Sequence, residues 1–288
     1  SADEIANILK SGKGENSDSY FVDCNVDHPI LTGPAESVED FYSLFFDVLK
    51  RSREEVLEEI KIANVRGRGG AGFPMGFKLE SCKNIESEEK YVVCNADEGD
   101  PGAYSDRYIL EKQPHLLLFG MMVAGYVIGA RYGILYIRGE YPESITIIRE
   151  ALEDLRNRKI LGEHINGSDF SFDFRIVEGA GAYICGEETA LLSSIEGQRP
   201  EVRVRPPYPA QEGLFNQPTV VNNVETSASV PFIMKHGGAA YANYGTQKST
   251  GTKLVCLDSY FNRPGMYEVE MGTPLSYIVN ELGQGFKS

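Results

Sequence analysis

Glycine in this chain is gathered in a few short loops between predicted elements, and that placement restricts the fold more than any other feature. The sequence holds 30 glycines in 288 residues, above the usual share of roughly 7%. No Gly-X-Y period is present, so the excess belongs to particular loops. Gly67-Arg-Gly-Gly-Ala-Gly-Phe-Pro-Met-Gly-Phe-Lys78 has five glycines in its first ten residues. Successive glycines let backbone N–H groups converge on phosphate oxygens without a Cβ in the way. Arg68 and Lys78 add positive charge, and Phe73 and Phe77 add flat apolar faces. The segment lacks the Gly-Lys-Ser/Thr of a Walker loop, and it follows a helix, unlike the dinucleotide fingerprint. A phosphate cradle and a flexible surface loop are the two readings.

The surrounding pattern is α/β. Residues 1–36 read as a polar arm with a short strand at Tyr20–Cys24. Ser37-Val-Glu-Asp40 resembles a capping box, and helical spacing follows to Leu49. A second helix spans about Arg53–Asn64. Tyr91–Asp97 is an apolar strand ending in polar residues, 105–130 predicts two helices broken at Pro114, and Arg131–Arg138 predicts a buried strand. Pro142 opens a helix to about Arg158, Phe170–Val177 alternates as a strand, and Glu187–Ile195 is helical. A proline-rich loop covers Gln198–Pro218, and Asn222–His236 reads as a helix kinked near Pro231. From Thr252 the pattern becomes β-rich, with strands at Lys253–Leu257 and Met266–Val269 and a helix from Pro274 to about Leu282. Strand–helix alternation over 90–200 implies a largely parallel sheet, whose ligands sit beyond the strands' carboxyl ends.

Other motifs fall at those ends. Cys94-Asn-Ala-Asp-Glu-Gly-Asp100 sets three carboxylates just after a strand. They suit a metal, a base, or hydrogen bonds to a heterocycle or ribose; helix capping is an equally good reading. In Gly179-Ala-Gly-Ala-Tyr-Ile-Cys-Gly-Glu-Glu-Thr189, Tyr183 offers a stacking face, while Glu187 and Glu188 open a helix where the macrodipole favours them. Asn222-Asn-Val-Glu-Thr226 supplies amides and a hydroxyl to a ring edge, or a helix cap. Arg203-Val-Arg-Pro-Pro-Tyr208 carries cations and an aromatic in a rigid loop, where solvated charge is the default.

Charge and cysteine usage exclude several classes. With 28 Lys and Arg against 42 Asp and Glu, the net charge of −14 disfavours nucleic acid and anionic membranes. The five cysteines, Cys24, Cys82, Cys94, Cys185 and Cys256, are scattered and form no Cys-x-x-Cys. They indicate neither a disulfide framework nor a zinc ribbon, and a reducing compartment is expected. The four histidines show no ligand spacing, so no His-based metal site is expected. Leu116–Ala130 is the longest apolar run, at fifteen residues. That is short of the roughly 18–20 a membrane span requires, so it predicts a buried helix. No apolar signal segment opens the sequence.

Taken together and in this order, the strings Gly-Arg-Gly-Gly-Ala-Gly-Phe-Pro, Cys-Asn-Ala-Asp-Glu, Gly-Ala-Tyr-Ile-Cys-Gly-Glu-Glu-Thr-Ala and Val-Asn-Asn-Val-Glu-Thr resemble one family. It is the NADH-binding flavoprotein subunit of respiratory complex I, with relatives in NAD-linked hydrogenases, formate dehydrogenases and electron-bifurcating complexes. The resemblance implies a Rossmann-like domain for FMN over 37–251, after the arm of 1–36, then the start of a ubiquitin-like β-grasp module over 252–288. It implies FMN among Gly67, Arg68, Gly69, Lys78, Asn95, Asp97, Glu98, Tyr183, Gly186, Glu187, Glu188, Asn222, Asn223 and Thr226. NADH would lie near Gly70, Ala71, Phe73, Asp100 and Glu188, with Arg205 and Tyr208 holding its distal part. Glu98 and Glu188 are the candidate catalytic residues. A four-iron four-sulfur cluster belongs to a C-terminal part that this sequence lacks.

The implied activity is hydride transfer from NAD(P)H to FMN, then single-electron transfer to iron–sulfur subunits, including a thioredoxin-like two-iron two-sulfur protein. The implied location is cytoplasmic, or peripheral on the cytoplasmic or matrix face of a membrane complex. Some positions depart from the family's commonest pattern. Arg205 replaces Lys, Tyr208 replaces Phe, Asp100 replaces Glu, and Leu79-Glu-Ser-Cys82 replaces an aromatic-rich stretch. The last departure favours a competing reading, an FMN-containing electron adaptor that does not use nicotinamide. A cofactor-free scaffold is the third.

Overall fold

A computed structural model describes residues 21–287. In chain order the strands are β1 (Val22–Cys24), β2 (Tyr91–Ala96), β3 (Tyr132–Arg138), β4 (Asp173–Gly179), β5 (Thr219–Asn223), β6 (Gly245–Thr246), β7 (Ser249–Thr250), β8 (Thr252–Leu257) and β9 (Gly265–Glu270). The central sheet has the order β4-β3-β2-β5, and every pair in it is parallel. Parallel strands are covered on both faces and therefore read as continuous apolar runs. Val92, Val93 and Cys94 of β2 and Leu135 to Ile137 of β3 are fully buried accordingly.

Helices start where local chemistry provides a cap. Ser37 accepts from the Asp40 amide at the head of Val38–Val48. Ser52 and Glu55 cap each other's backbone at the head of Arg53–Ala63, a full capping box. Pro114 separates Ser105–Lys112 from Pro114–Ile128. Every residue from Leu117 to Ile128 in the second of these helices is buried, so the long apolar run is interior packing. No helix of the described residues is long and apolar enough to cross a membrane. Gly120 lets this helix touch the helix Val224–Ala228: a Cβ there would lie 1.9 Å from the Ser227 carbonyl oxygen.

Several elements differ from the sequence expectations. A helix over Met75–Lys83 directly follows the glycine loop, where no periodic signal marks one. The region read as helical from Asn222 instead holds β5, whose last two residues are Asn222 and Asn223; helices follow at Val224–Ala228 and Val230–His236. Pairing with β2 makes the two asparagines the end of a strand, and Asn223 also caps the helix that follows by accepting from the Glu225 amide. β4 begins at Asp173 because Phe170 and Phe172 turn inward before it, their rings stacked 5.6 Å apart. The expected helix from Pro274 is a short turn, Leu275–Tyr277, continued by the π-helical Ile278–Leu282.

A second sheet, β1-β9-β8, joins the two ends of the described chain. β8 and β9 form an antiparallel hairpin, and β1 adds to it in parallel, Val22 opposite Met266. Glu268 of β9 is fully buried and accepts from the amides of Ile30, Leu31 and Thr32 and the hydroxyls of Thr32 and Thr252. The strand expected at Tyr20–Cys24 is thus part of this sheet from Val22, and Tyr20 lies outside the described residues.

Replacing Gly120 by Ala is expected to cost about 3 kcal/mol of unfolding free energy, as overpacking against rigid backbone does. Chemical denaturation measures it; the intrinsic helix preference of Ala acting alone would instead raise stability.

Candidate functional site

The strand order places a crevice where the motifs converge. From β2 the chain crosses to β3 and on to β4, whereas β5 returns to the opposite side of β2. Open parallel sheets take their ligands beyond the carboxyl ends of the strands where the order reverses, and here the segments after β2 and β5 meet through Asn223 and Asp106. Asn95, Asp97 and Glu98 stand at the end of β2, and Asn222, Asn223 and Thr226 at the end of β5.

The glycine loop closes over this crevice. The Gly67 amide donates to the Phe73 carbonyl at 2.9 Å, and Arg66 bridges to Pro74. Gly70 and Gly72 adopt φ of 111° and 61° with open space where a side chain would lie, conformations that favour glycine. Gly69 lies close against Asn223: a Cβ there would stand 3.3 Å from the Asn223 Cβ. The loop is held from behind by Arg68. Its amide donates to Thr226 Oγ1 at 2.8 Å, and its buried guanidinium donates to the carbonyls of Thr250 and Thr252 and to Tyr241 Oη. The Arg68 side chain thus serves as an interior clasp on backbone carbonyls and the Tyr241 hydroxyl. On the outer side Phe73 and Phe77 are 47% and 58% exposed and meet edge to face at 5.6 Å.

The acidic cluster divides its work. Glu98 accepts from Ser105 Oγ and from the amides of Asp106 and Arg107. It therefore caps the helix Ser105–Lys112, satisfying amides that have no partner within that helix. Asp97 faces Arg138 Nε at 3.6 Å, and burial raises its carboxyl pKa against the pull of Arg138. Asp100 accepts from Tyr183 Oη at 2.6 Å, with Gly99 fitted beneath the Tyr183 ring. Tyr183 is 70% exposed and offers its face outward.

Behind this layer lies a buried polar network. Asn223 caps Glu225 through Oδ1 and donates through Nδ2 to Asp106 at 2.7 Å. Burial, then Glu98 and Glu225, push the Asp106 carboxyl well above the ordinary range. Glu225 pairs with Lys253 and accepts the Leu254 amide. Lys78 Nζ donates to the Val221 carbonyl at 2.6 Å and lies 3.9 Å from Glu188; desolvation lowers its pKa and Glu188 opposes that. Asn95 Nδ2 donates to the Gly186 carbonyl, joining the Cys94–Asp100 motif to the Gly179–Thr189 motif.

In the latter motif, Glu187 Oε2 caps the amides of Thr189 and Ala190. Arg205 donates from Nη1 to Glu188 Oε1 at 2.9 Å and from Nη2 to Glu187 Oε1 at 3.1 Å. Tyr208 is half exposed nearby in sequence, its amide bonded to Gln211. Ala71 lies within the glycine loop between its two open glycines. Sequence reasoning missed Asp106, Lys253 and Arg138. Arg138, at the end of β3, donates to the Glu98 carbonyl at 2.6 Å; an arginine closing an apolar strand was the available signal. Among the described residues no cluster of His, Cys, Asp and Glu is arranged to hold a metal, and the five cysteines are free thiols.

Residues 60–232 match the family model of the Nuo51 FMN-binding domain. Among curated relatives, the NAD-reducing hydrogenase HoxS subunit alpha of Cupriavidus necator is 44% identical over 272 residues, 93% of this chain and 45% of that protein. The mitochondrial NADH dehydrogenase (ubiquinone) flavoprotein 1 of Dictyostelium discoideum is 38% identical over 277 residues, 96% of this chain and 58% of that protein. Among solved structures, an NAD+-reducing [NiFe]-hydrogenase in the H2-reduced state superposes with a TM-score of 0.81 at 34% identity, covering 96% of this chain and 47% of that one. The chain spans about half the length of the curated relatives it matches.

Two substitutions separate structural from chemical carboxylates. Glu98→Ala should lose about 1–2 kcal/mol of stability as a removed helix cap does, with Glu98→Gln losing less, read by thermal unfolding. Asp106 has a folded-state pKa above its unfolded value, so its contribution favours folding at low pH and is lost as pH rises through the folded value. Asp106→Asn should therefore stabilise the protein at neutral pH and flatten the stability profile above about pH 4.

Proposed function

The chain belongs to the Nuo51 FMN-binding-domain family, and from that membership we propose that it is the FMN-holding part of an NADH-oxidising electron-transfer subunit. The observation that carries this reading is Asn222. Its side chain is 5% exposed at the end of β5, and its Nδ2 is buried without a hydrogen-bond partner. A buried amide nitrogen left unpaired costs roughly 1–3 kcal/mol, so its retention at the mouth of a crevice points to a ligand acceptor. The open left-handed turns at Gly70 and Gly72 and the outward faces of Phe73, Phe77 and Tyr183 fit the same ligand: a phosphate on a planar ring system.

The residues that would hold FMN are the glycine loop from Gly67, with Lys78, Asn95, Asn222, Asn223 and Thr226. FMN, when bound, supplies the exchange of a two-electron hydride for single electrons. The chain's own work is orientation. Main-chain amides of the loop bind and fix the phosphate. Asn95 and Asn223 are each held at both ends of the amide, which leaves the second N–H and the second lone pair of each in fixed directions. Exposed aromatic faces align a nicotinamide nucleotide, and Asp100, held by Tyr183, suits ribose hydroxyls. No side chain here has to make or break a bond to the substrate.

The departure after Lys78 does not favour a nicotinamide-free adaptor. Leu79 and Cys82 are buried in the core, and Glu80 is bonded to Lys61 on the neighbouring helix, so that stretch packs the interior and the helix flank. Electrons would leave to iron–sulfur carriers of a larger complex, including a thioredoxin-like two-iron two-sulfur subunit, on the cytoplasmic or matrix side. A complete ubiquitin-like module built on β8 and β9 would continue the chain there.

Anaerobic titration of the full-length protein tests the reading: NADH should bleach the flavin band in stoichiometric amounts, and a protein that is colourless or that keeps its band under NADH refutes it. Asn222→Ala should weaken FMN retention by about tenfold, one net hydrogen bond, read by flavin fluorescence on dilution.

A further inference from the structure

Arg205 and the two carboxylates it spans form a unit that the reading above leaves unexplained. Glu187 uses its oxygens separately. Oε2 is fixed by the amides of Thr189 and Ala190 at the start of the helix Glu188–Ile195, and Oε1 receives Arg205 Nη2. Nη1 of the same guanidinium goes to Glu188 Oε1, whose other oxygen faces Lys78 Nζ at 3.9 Å. The loop carrying Arg205 is anchored two residues earlier. The Arg203 amide donates to Thr189 Oγ1, and its guanidinium donates to Ser193, Glu196 and the Gly213 carbonyl. Between the two arginines, Val204 is 87% exposed and offers little packing that would resist movement. One arginine therefore fixes the loop while the next, partly exposed, rests on acceptors at the rim of the crevice.

We infer that Glu187 is a positioning residue for Arg205: it holds the guanidinium in a closed clasp across Glu188 until a dinucleotide's pyrophosphate takes it over. The inference rests on the nucleotide-binding reading of this site and adds how binding is gated. A guanidinium matches carboxylate and phosphate with the same planar fork, so pyrophosphate replaces the two carboxylates with bonds of the same kind, and the exchange is close to balanced. Opening the clasp also leaves Glu188 with Lys78 as its remaining cation. Binding thus reorganises the rim without disturbing the helix cap, because the cap uses the other oxygen of Glu187. Nucleotide affinity in the resting protein is reduced by the fraction of time the clasp is closed.

Gln at position 187 separates the two duties of that side chain. Its amide oxygen keeps the cap, while its amide nitrogen cannot accept from Arg205. The full-length holoprotein is compared as wild type, Glu187→Gln, Arg205→Gln and the double variant, with flavin content checked in each. NADH reduction of the flavin and the dissociation constant of ADP-ribose, which carries the pyrophosphate without the hydride donor, are read at two salt concentrations. Glu187→Gln should bind ADP-ribose about two- to fivefold more tightly, the scale of a partly exposed charge pair, and lose part of the salt dependence. In the Arg205→Gln background the same change should have no effect. The cycle on Glu188→Gln, which caps no helix amide through its side chain, should give the same pattern and serves where Glu187→Gln loses flavin. A Glu187→Gln gain that persists without Arg205 is general charge removal and overturns the clasp, as does an unchanged or weaker affinity in both carboxylate variants. If ADP-ribose follows the cycle but NADH leaves the flavin oxidised, the clasp stands and the hydride-donor reading falls. Absence of any nucleotide binding in the wild type removes both.

Discussion

The buried guanidinium of Arg68 is the interaction on which the crevice depends. A cation without full partners is costly inside a protein. Here it donates to the carbonyls of Arg66, Thr250 and Thr252 and to Tyr241 Oη. Those acceptors belong to the loop's own entry, to the helix Gly238–Ala242 and to the β-rich segment that follows the parallel sheet. The guanidinium therefore ties two regions far apart in sequence and fixes the loop's inner edge. With that edge tied, Gly70 and Gly72 turn outward into open space.

Acidic residues at the strand ends follow a division of labour set by helix termini. Glu98 and Glu187 each occupy the head of a helix and satisfy amides that have no partner within it. Asn223 does the same for the short helix after β5, with its second polar group anchored on Asp106. The result is a rim whose side chains are rigid because their other ends hold secondary structure in place. Such rigidity is what an orienting site needs, since small displacements of a stacked reactant lose much of the benefit of proximity.

Much of this is legible in the residues. Pro114, the Ser37 and Ser52 caps and the apolar strands at Tyr91 and Tyr132 announce their elements because each signal is local. β5 is not legible: five residues ending in two asparagines carry the chemistry of a cap, and only pairing with β2 makes them a strand. The direction of Arg68 is hidden for the same reason, as its acceptors lie 182 and 184 residues further on. Glu98 and Asp97 look equivalent in sequence. Their difference arises from where the chain turns into Ser105–Lys112 and from Arg138 on the neighbouring strand.

Glu268 carries a consequence for the order in which the molecule is made. Three successive amides, Ile30 to Thr32, depend on its carboxylate, and the separations run from 236 to 238 residues. A ribosome adding about 5–20 residues per second takes on the order of ten to fifty seconds to cover that distance. During that interval the early segment has no native acceptor, so its ordering waits until Glu268 has been made. The sheet β1-β9-β8 is therefore closed by strands made far apart in time, the first waiting for the last.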